Sequence, residues 1–280
     1  MFGFYKANID YIRAFATRAD QRRYVIEDEA PKHYIDLDHY EMIIPIDTMP
    51  HRWDSAVDKY GENTLLEYGI VPWHINSVLA WLTKAMKERD YERIIKLSAD
   101  LGHYIGDAHV PLHTTENYNG QLTNQKGIHG LWESRLPEIF ASNYDFFTGK
   151  AVYLSNPSEH IWQAISESFA AKDTVLYLEK KLSAKMPNTK YSFETRGATT
   201  VKVYSREFSK AYHDAMNDMV ERRMKKAVHL VGCFWMTAWV NAGQPSLDFN
   251  TVQKKDLQPQ IDSLNSLIHN STIKGRMETH

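Results

Sequence analysis

The sequence predicts an all-α protein. Apolar residues recur at three- and four-residue spacings along most of the chain, alternating strand patterns are scarce, and the longest apolar run reads as one buried helix. Ile9, Ile12 and Phe15 mark one face of a first helix. In WHINSVLAWLTKAMKERD, Ile75, Leu79, Leu82 and Met86 form a single stripe, and YERIIKLSADLGHYIGDAH repeats the pattern with Ile94, Leu97, Leu101 and Ile105. PSEHIWQAISESFAAKDTVLYLEKKL and SREFSKAYHDAMNDMVERRMKKAVHLVGCFWMTAWVNAG read as long helices, the second closed by Gly243 and Pro245. Within it, VHLVGCFWMTAWV is interrupted by His229 and is too short to cross a bilayer, so it reads as a core helix. TTVKVY is the best strand candidate.

Loops concentrate in TTENYNGQLTNQKG, SNYDFFTGKAVYLSNPS and KMPNTKYSFETRGATT. There is no internal repeat and no low-complexity linker. Residues 1–245 therefore read as one helical domain, and 246–280 as a polar, loosely docked extension.

The length of 280 residues suits one large helical domain. A formal net charge of -2 gives no general affinity for polyanions, and a nucleic-acid binder relying on counterion release is usually more basic. Cys233 is the only cysteine, so no intrachain disulfide and no four-cysteine zinc site can form. MFGFYKANIDYIRAF lacks the basic start and pure apolar stretch of a signal peptide.

The densest chemistry lies in GHYIGDAHVPLH. His103 and Asp107 are four apart, so a helix presents both on one face, a spacing that suits two ligands of one metal. His109 points about 200° away from Asp107 on the same helix. Pro111 favours an extended Val110, which ends the helix and turns His113 back towards the pair. A second pair of the same form, His129 and Glu133, follows in GIHGLWESRLPE after a Gly/Asn-rich loop. One such pair is usually a surface hydrogen bond; two pairs plus His113 are hard to explain by packing alone. Imidazole and carboxylate ligands favour zinc or another first-row metal over calcium. Upstream, RADQRRYVIEDEAPKHYIDLDHY carries Asp20, Asp28, His33, Asp36 and Asp38, and pattern alone does not say which turn inward.

HYIGD, PLH and HGLWE, in that order and preceded by ADQRR and KHYID, resemble the superfamily of zinc-dependent phospholipase C and the fungal and plant single-strand nucleases. The resemblance runs from Asp20 to Glu133 and implies a helical domain of that type. It implies one zinc ion held by Asp20, His33, His103 and Asp107, and a second held by His113, His129 and Glu133. Asp107 takes the place of an aspartate that bridges to a further metal, and Asp20 that of the catalytic carboxylate that orients a water or takes its proton. His74 and His109 match no ligand and read as structural or pocket-lining. The family's mature chain opens with a Trp and a nearby His that bind the remaining metal. This chain opens with Met1 and Phe2 and has no histidine before His33, so those third-site ligands are absent: either a first segment is missing or the protein works with two metals.

The implied activity is hydrolysis of phosphodiester bonds by an exported protein, secreted or periplasmic. Phospholipid is favoured as substrate by the lack of basic excess, the lack of disulfides, and Glu133 where the nucleases usually have Asp. The alternative is a nuclease-like phosphodiesterase or 3'-nucleotidase, with nucleic acid as partner and Trp73, Tyr118 or Trp132 stacking on bases. For Trp73 and Trp132 the expected role is core packing. A third reading, from another class, is a non-catalytic helical protein with a structural zinc site, which is closed where a catalytic site keeps an open position.

Overall fold

The computed structural model, which describes residues 1–41, 48–197, 199–249 and 256–268, is mostly helical with a single two-stranded hairpin among those residues. The chain opens with α1 (Phe2–Ala14) and α2 (Arg18–Arg22), then a 3-10 segment (Glu27–His33), α3 (Leu37–Glu41), α4 (Trp53–Tyr60) and α5 (Glu62–Tyr68). Two helices of 18 residues follow, α6 (Val71–Glu88) and α7 (Tyr91–Ala108). A 3-10 turn (Pro111–Thr114), α8 (Ile128–Gly130), a π-turn (Leu131–Arg135) and α9 (Leu136–Phe140) lead to α10 (Pro157–Lys185). The hairpin β1 (Tyr191–Arg196) and β2 (Thr199–Tyr204) precedes α11 (Arg206–Ala215), α12 (Met219–Asn241) and α13 (Gln258–Ile268).

The centre is the α6–α7 pair. Arg89 takes the left-handed conformation at φ 54° and ends α6, and the Asp90 side chain accepts the Arg93 amide to start α7. Ile75, Leu79, Leu82 and Met86 on α6 and Ile94, Leu101 and Ile105 on α7 are buried, as their stripes predict; Leu97 is half-buried. Each full burial of such a side chain is worth about 1.5–3 kcal/mol. α12 lies across both helices and α10 packs against α6 and α7. A second apolar cluster, including Leu112, Ile128, Leu131, Leu136, Phe208 and Tyr212, underlies the 3-10 and π turns. Trp73 and Trp132 are buried in these two clusters, the packing role expected of them.

Three expectations are corrected. Ile9 is half exposed, because α1 turns Phe4, Tyr5, Asn8 and Ile12 inward and leaves Ile9 on the rim of a groove. The loop expected around KMPNTKYSFETRGATT contains β1, paired antiparallel with β2 from Tyr191↔Tyr204 to Arg196↔Thr199. Its polar composition hid it, since the hairpin has little buried face. The described part of the tail is docked: Leu247, Phe249, Leu257 and Ile261 are buried in the main core, with the Phe249 ring 5.7 Å from Phe4 and 5.3 Å from Tyr91. No helix among the described residues is long and apolar enough to cross a membrane.

One glycine sets the approach to the site. Gly69 has φ +93°, and a Cβ there would lie 2.1 Å from the Tyr34 carbonyl oxygen. Only glycine lets the α5–α6 junction lie against the backbone that follows His33.

Candidate metal centre

α7 presents His103 and Asp107 one turn apart, with His103 Nε2 3.4 Å from Asp107 Oδ2. The 3-10 segment delivers His33 to the same place: its Nδ1 lies 3.0 Å from Asp107 Oδ2 and 3.1 Å from His103 Nε2. Asp20 arrives from α2, with Oδ1 3.5 Å from His103 Nε2 and 3.7 Å from His33 Nδ1. Asp20, His33 and His103 place one ligand atom each within 4.8 Å of one another, and Asp107 touches both histidines.

Val110 is extended at ψ 118°, and the 3-10 turn after it carries His113 back across the end of α7, as Pro111 predicts. His129 and Glu133 lie on the joined α8 and π-turn. Glu133 Oε2 is 2.8 Å from His129 Nε2 and 3.2 Å from His113 Nε2. These three form the second group within 4.8 Å. π-turns inside helices often mark functional positions, and this one holds Glu133 against both imidazoles. The preceding loop is fastened by Asp38, which accepts from Thr115 Oγ1 at 2.6 Å and from the Glu116 amide at 3.1 Å.

The structure thus brings together every residue expected as a ligand: Asp20, His33, His103 and Asp107 in one place, and His113, His129 and Glu133 in the other. Asp28 is exposed, while Asp36 and Asp38 lie outside both groups. His74 and His109 also lie outside them. The His109 Nδ1–H donates to the Ile105 carbonyl at 2.7 Å, and His74 packs its ring on Trp81 and Tyr104. Burial first, then Arg223 for His109 and Lys32 for His74, lowers both imidazoles to about 4.

The electrostatics suit a cation. Burial works against charge on His103, yet Asp107 and Asp20 outweigh it and push the imidazole up to about 10. Burial raises the Glu133 carboxyl, yet His113 and His129 hold it well below the usual range. A carbonyl can only accept, so His113 Nδ1 carries the hydrogen in its 2.7 Å bond to the His33 oxygen. In the neutral ring this leaves the Nε2 lone pair facing the Glu133 carboxylate, a contact that favours a proton or a metal ion between them. The imidazole and carboxylate donors fit zinc or another first-row metal. His113 and His129 are almost fully buried, whereas Asp20 and Glu133 keep 29% and 25% of their side-chain surface open. Both groups are therefore reachable from solvent on their carboxylate side.

Glu29 was not singled out from sequence, where it is one acid in the run EDE. It is buried, and its Oε1 lies 3.9 Å from His33 Nε2, the ring edge turned away from the ligand group. Burial favours its neutral form, but Arg22, Lys32 and Tyr104 together hold the carboxyl down at about 2. At 3.9 Å the two make no hydrogen bond and His33 Nε2 has no hydrogen-bond partner among the described residues, so Glu29 places a negative charge beside the ring edge without fixing it.

An apolar groove of about 580 Å³ between α7 and α12 has Glu133 among its lining residues. Gly102 and Gly106 line its α7 side; a Cβ on Gly106 would meet no atom within 4 Å.

No protein-family model matches this chain, and no curated protein does.

Proposed function

We propose that this chain is a zinc-dependent phosphodiesterase of the phospholipase C and single-strand nuclease type, acting on phospholipid. The observation that carries the reading is the pair of His/carboxylate groups joined through His33, whose side chain belongs to one group and whose carbonyl orients His113 in the other. Asp20, His33, His103 and Asp107 would hold one ion, and His113, His129 and Glu133 a second. Bound divalent ions supply a Lewis acid for phosphoryl oxygens and a more acidic water.

The chain's own residues then divide the remaining work. Asp20 is the catalytic carboxylate: its Oδ1 faces His103 and His33 while 29% of its side-chain surface stays open, so it can orient a water and accept its proton. The open carboxylates argue against a purely structural zinc site, which would be closed by protein ligands. The groove lined by Glu133 offers apolar walls, including Val228, Val231 and Trp235, and suits a lipid better than a nucleic-acid backbone. A nuclease-like reading is favoured by Tyr118 alone, whose half-buried ring lies 6.2 Å from His129 and could stack on a base. Export to the periplasm or the medium follows from the family reading.

The test is elemental analysis of the purified chain together with turnover of a chromogenic phosphodiester. The wild type should carry zinc and hydrolyse the ester, and His129→Ala should lose both metal and turnover. Full activity in a folded His129→Ala protein would sink the proposal.

A further inference from the structure

A cavity of about 750 Å³ lies between α2, α6, α7 and α13, and no residue of either His/carboxylate group lines it. Its volume is that of a small-molecule site. The lining carries four cations, Arg18, Arg22, Lys32 and Lys96, against two carboxylates, Glu29 and Asp100. The acids are buried beneath the cations. Asp100 keeps 6% of its side-chain surface open and Glu29 1%, whereas each of the four cations keeps 19–23%.

The buried acids hold the cationic heads in place. Asp100 accepts from Arg18 Nε at 3.1 Å, from Arg18 Nη2, and from Arg22 Nη1 at 3.1 Å. Glu29 accepts from Arg22 Nη2 and from Lys32 Nζ, both at 2.8 Å. Two carboxylates thus fix three cations, and a ligand need not order them when it binds. Donors are left over: Arg18 Nη1 and the other N–H groups of Lys32 have no partner among the described residues. Lys96 is paired outside the lining, with Glu92 one turn back on α7 at 2.6 Å. A part-exposed pair of this spacing holds weakly. Gln260 of α13 donates to the same Glu92 oxygen at 3.1 Å, so that carboxylate keeps a partner when Lys96 turns to a ligand.

The rest of the lining is apolar and aromatic. It includes Val78, Leu97 and Trp81, and Trp81 is 46% exposed. The Trp81 ring meets His74 edge to face at 5.8 Å, which steadies an indole whose remaining surface is open.

We propose that this cavity is a second ligand site, apart from the metal centre, that takes a phosphomonoester, with the phosphate on the cations and the organic group against Trp81 and Val78. A phosphomonoester is close to a dianion at neutral pH and calls on two positive charges beyond those that Asp100 and Glu29 neutralise; a carboxylate ligand would use one. The inference does not rest on the hydrolase reading.

The experiment is isothermal titration calorimetry of the full chain with phenyl phosphate, inorganic phosphate and phenylacetate. Wild type should bind phenyl phosphate more tightly than either of the other two. Lys96→Met leaves the buried Asp100 and Glu29 pairs intact and should weaken both phosphate probes roughly tenfold. Trp81→Ala should weaken phenyl phosphate about fivefold and leave inorganic phosphate unchanged. His129→Ala, altered only at the metal centre, should bind phenyl phosphate as wild type does. Wild type that binds no phosphate probe, or phenylacetate that binds as tightly as phenyl phosphate, would overturn the proposal. So would Lys96→Met and Trp81→Ala proteins that both bind like wild type, or binding lost in His129→Ala and kept in Lys96→Met, which would place the anion on the metal centre.

Discussion

His113 donates from Nδ1 to the main-chain oxygen of His33 at 2.7 Å, so a residue of the first His/carboxylate group sets the ring of the second. The Ile35 amide returns a bond to the His113 carbonyl at 2.9 Å. Residues 33–35 and 113 thus form one unit, and Gly69 lies directly against its middle residue, Tyr34. Gly69→Ala should cost roughly 1–3 kcal/mol through backbone strain and displacement of Tyr34. It should also lower the metal content of both groups. Urea unfolding and metal per chain measure the two effects; a variant as stable and as metal-loaded as wild type would show that the unit tolerates displacement.

Glu29→Gln removes the negative charge 3.9 Å from His33 Nε2 and should weaken metal retention by less than the roughly tenfold that loss of a hydrogen-bonded outer carboxylate costs. Competition with a chromogenic chelator measures it without reference to turnover. Unchanged retention would reduce Glu29 to a partner of Arg22 and Lys32.

Acid stability of the metal-free protein should show the same carboxylate. Glu29 is lowered from 4.5 to about 2, so the unfolded chain takes up its proton first. Its contribution is complete above about 4.5 and is lost as the pH falls through 2. His74, lowered from 6.5 to about 4, adds a separate loss of stability as the pH falls across that interval. Urea midpoints followed against pH should flatten below 4.5 in Glu29→Gln and between 6.5 and 4 in His74→Gln.

Gly106 occupies a helix interior where a Cβ would meet nothing within 4 Å. Gly106→Ala should therefore stabilise the protein by about 0.5–1 kcal/mol. Gly106→Leu fills the groove beside Glu133 and should raise KM for a long-chain lipid more than for a small soluble phosphodiester. Equal effects on both substrates would argue that the groove does not hold the lipid.

Arg223 is buried and donates to the His109 carbonyl at 2.9 Å, the Ala164 carbonyl at 2.9 Å, Glu167 at 2.7 Å and Ser168 Oγ. It ties α12 and α10 to the turn between Asp107 and His113. Arg223→Met keeps the aliphatic stem but strands those acceptors, and should cost about 3 kcal/mol. A loss under about 1 kcal/mol in chemical denaturation would mean that water replaces the guanidinium there.

The helices and much of the His/carboxylate clustering were legible in the sequence because both rest on short-range geometry. The stripes of α6 and α7 follow from 3.6 residues per turn, and the same period puts His103 with Asp107 and His129 near Glu133. Pro111 likewise announces the turn that returns His113. What lies between helices was not legible by period. Asp20 rather than Asp28 or Asp36 joins His33 only because α2 and the 3-10 segment pack against α7, a relation between distant stretches that no local spacing encodes. The inward face of α1, the pairing of β1 with β2, the docking of Leu247 and Phe249, and the place of Glu29 behind His33 are decided the same way. Local sequence sets the direction a side chain takes from its own helix; tertiary packing decides which other side chains are there to meet it.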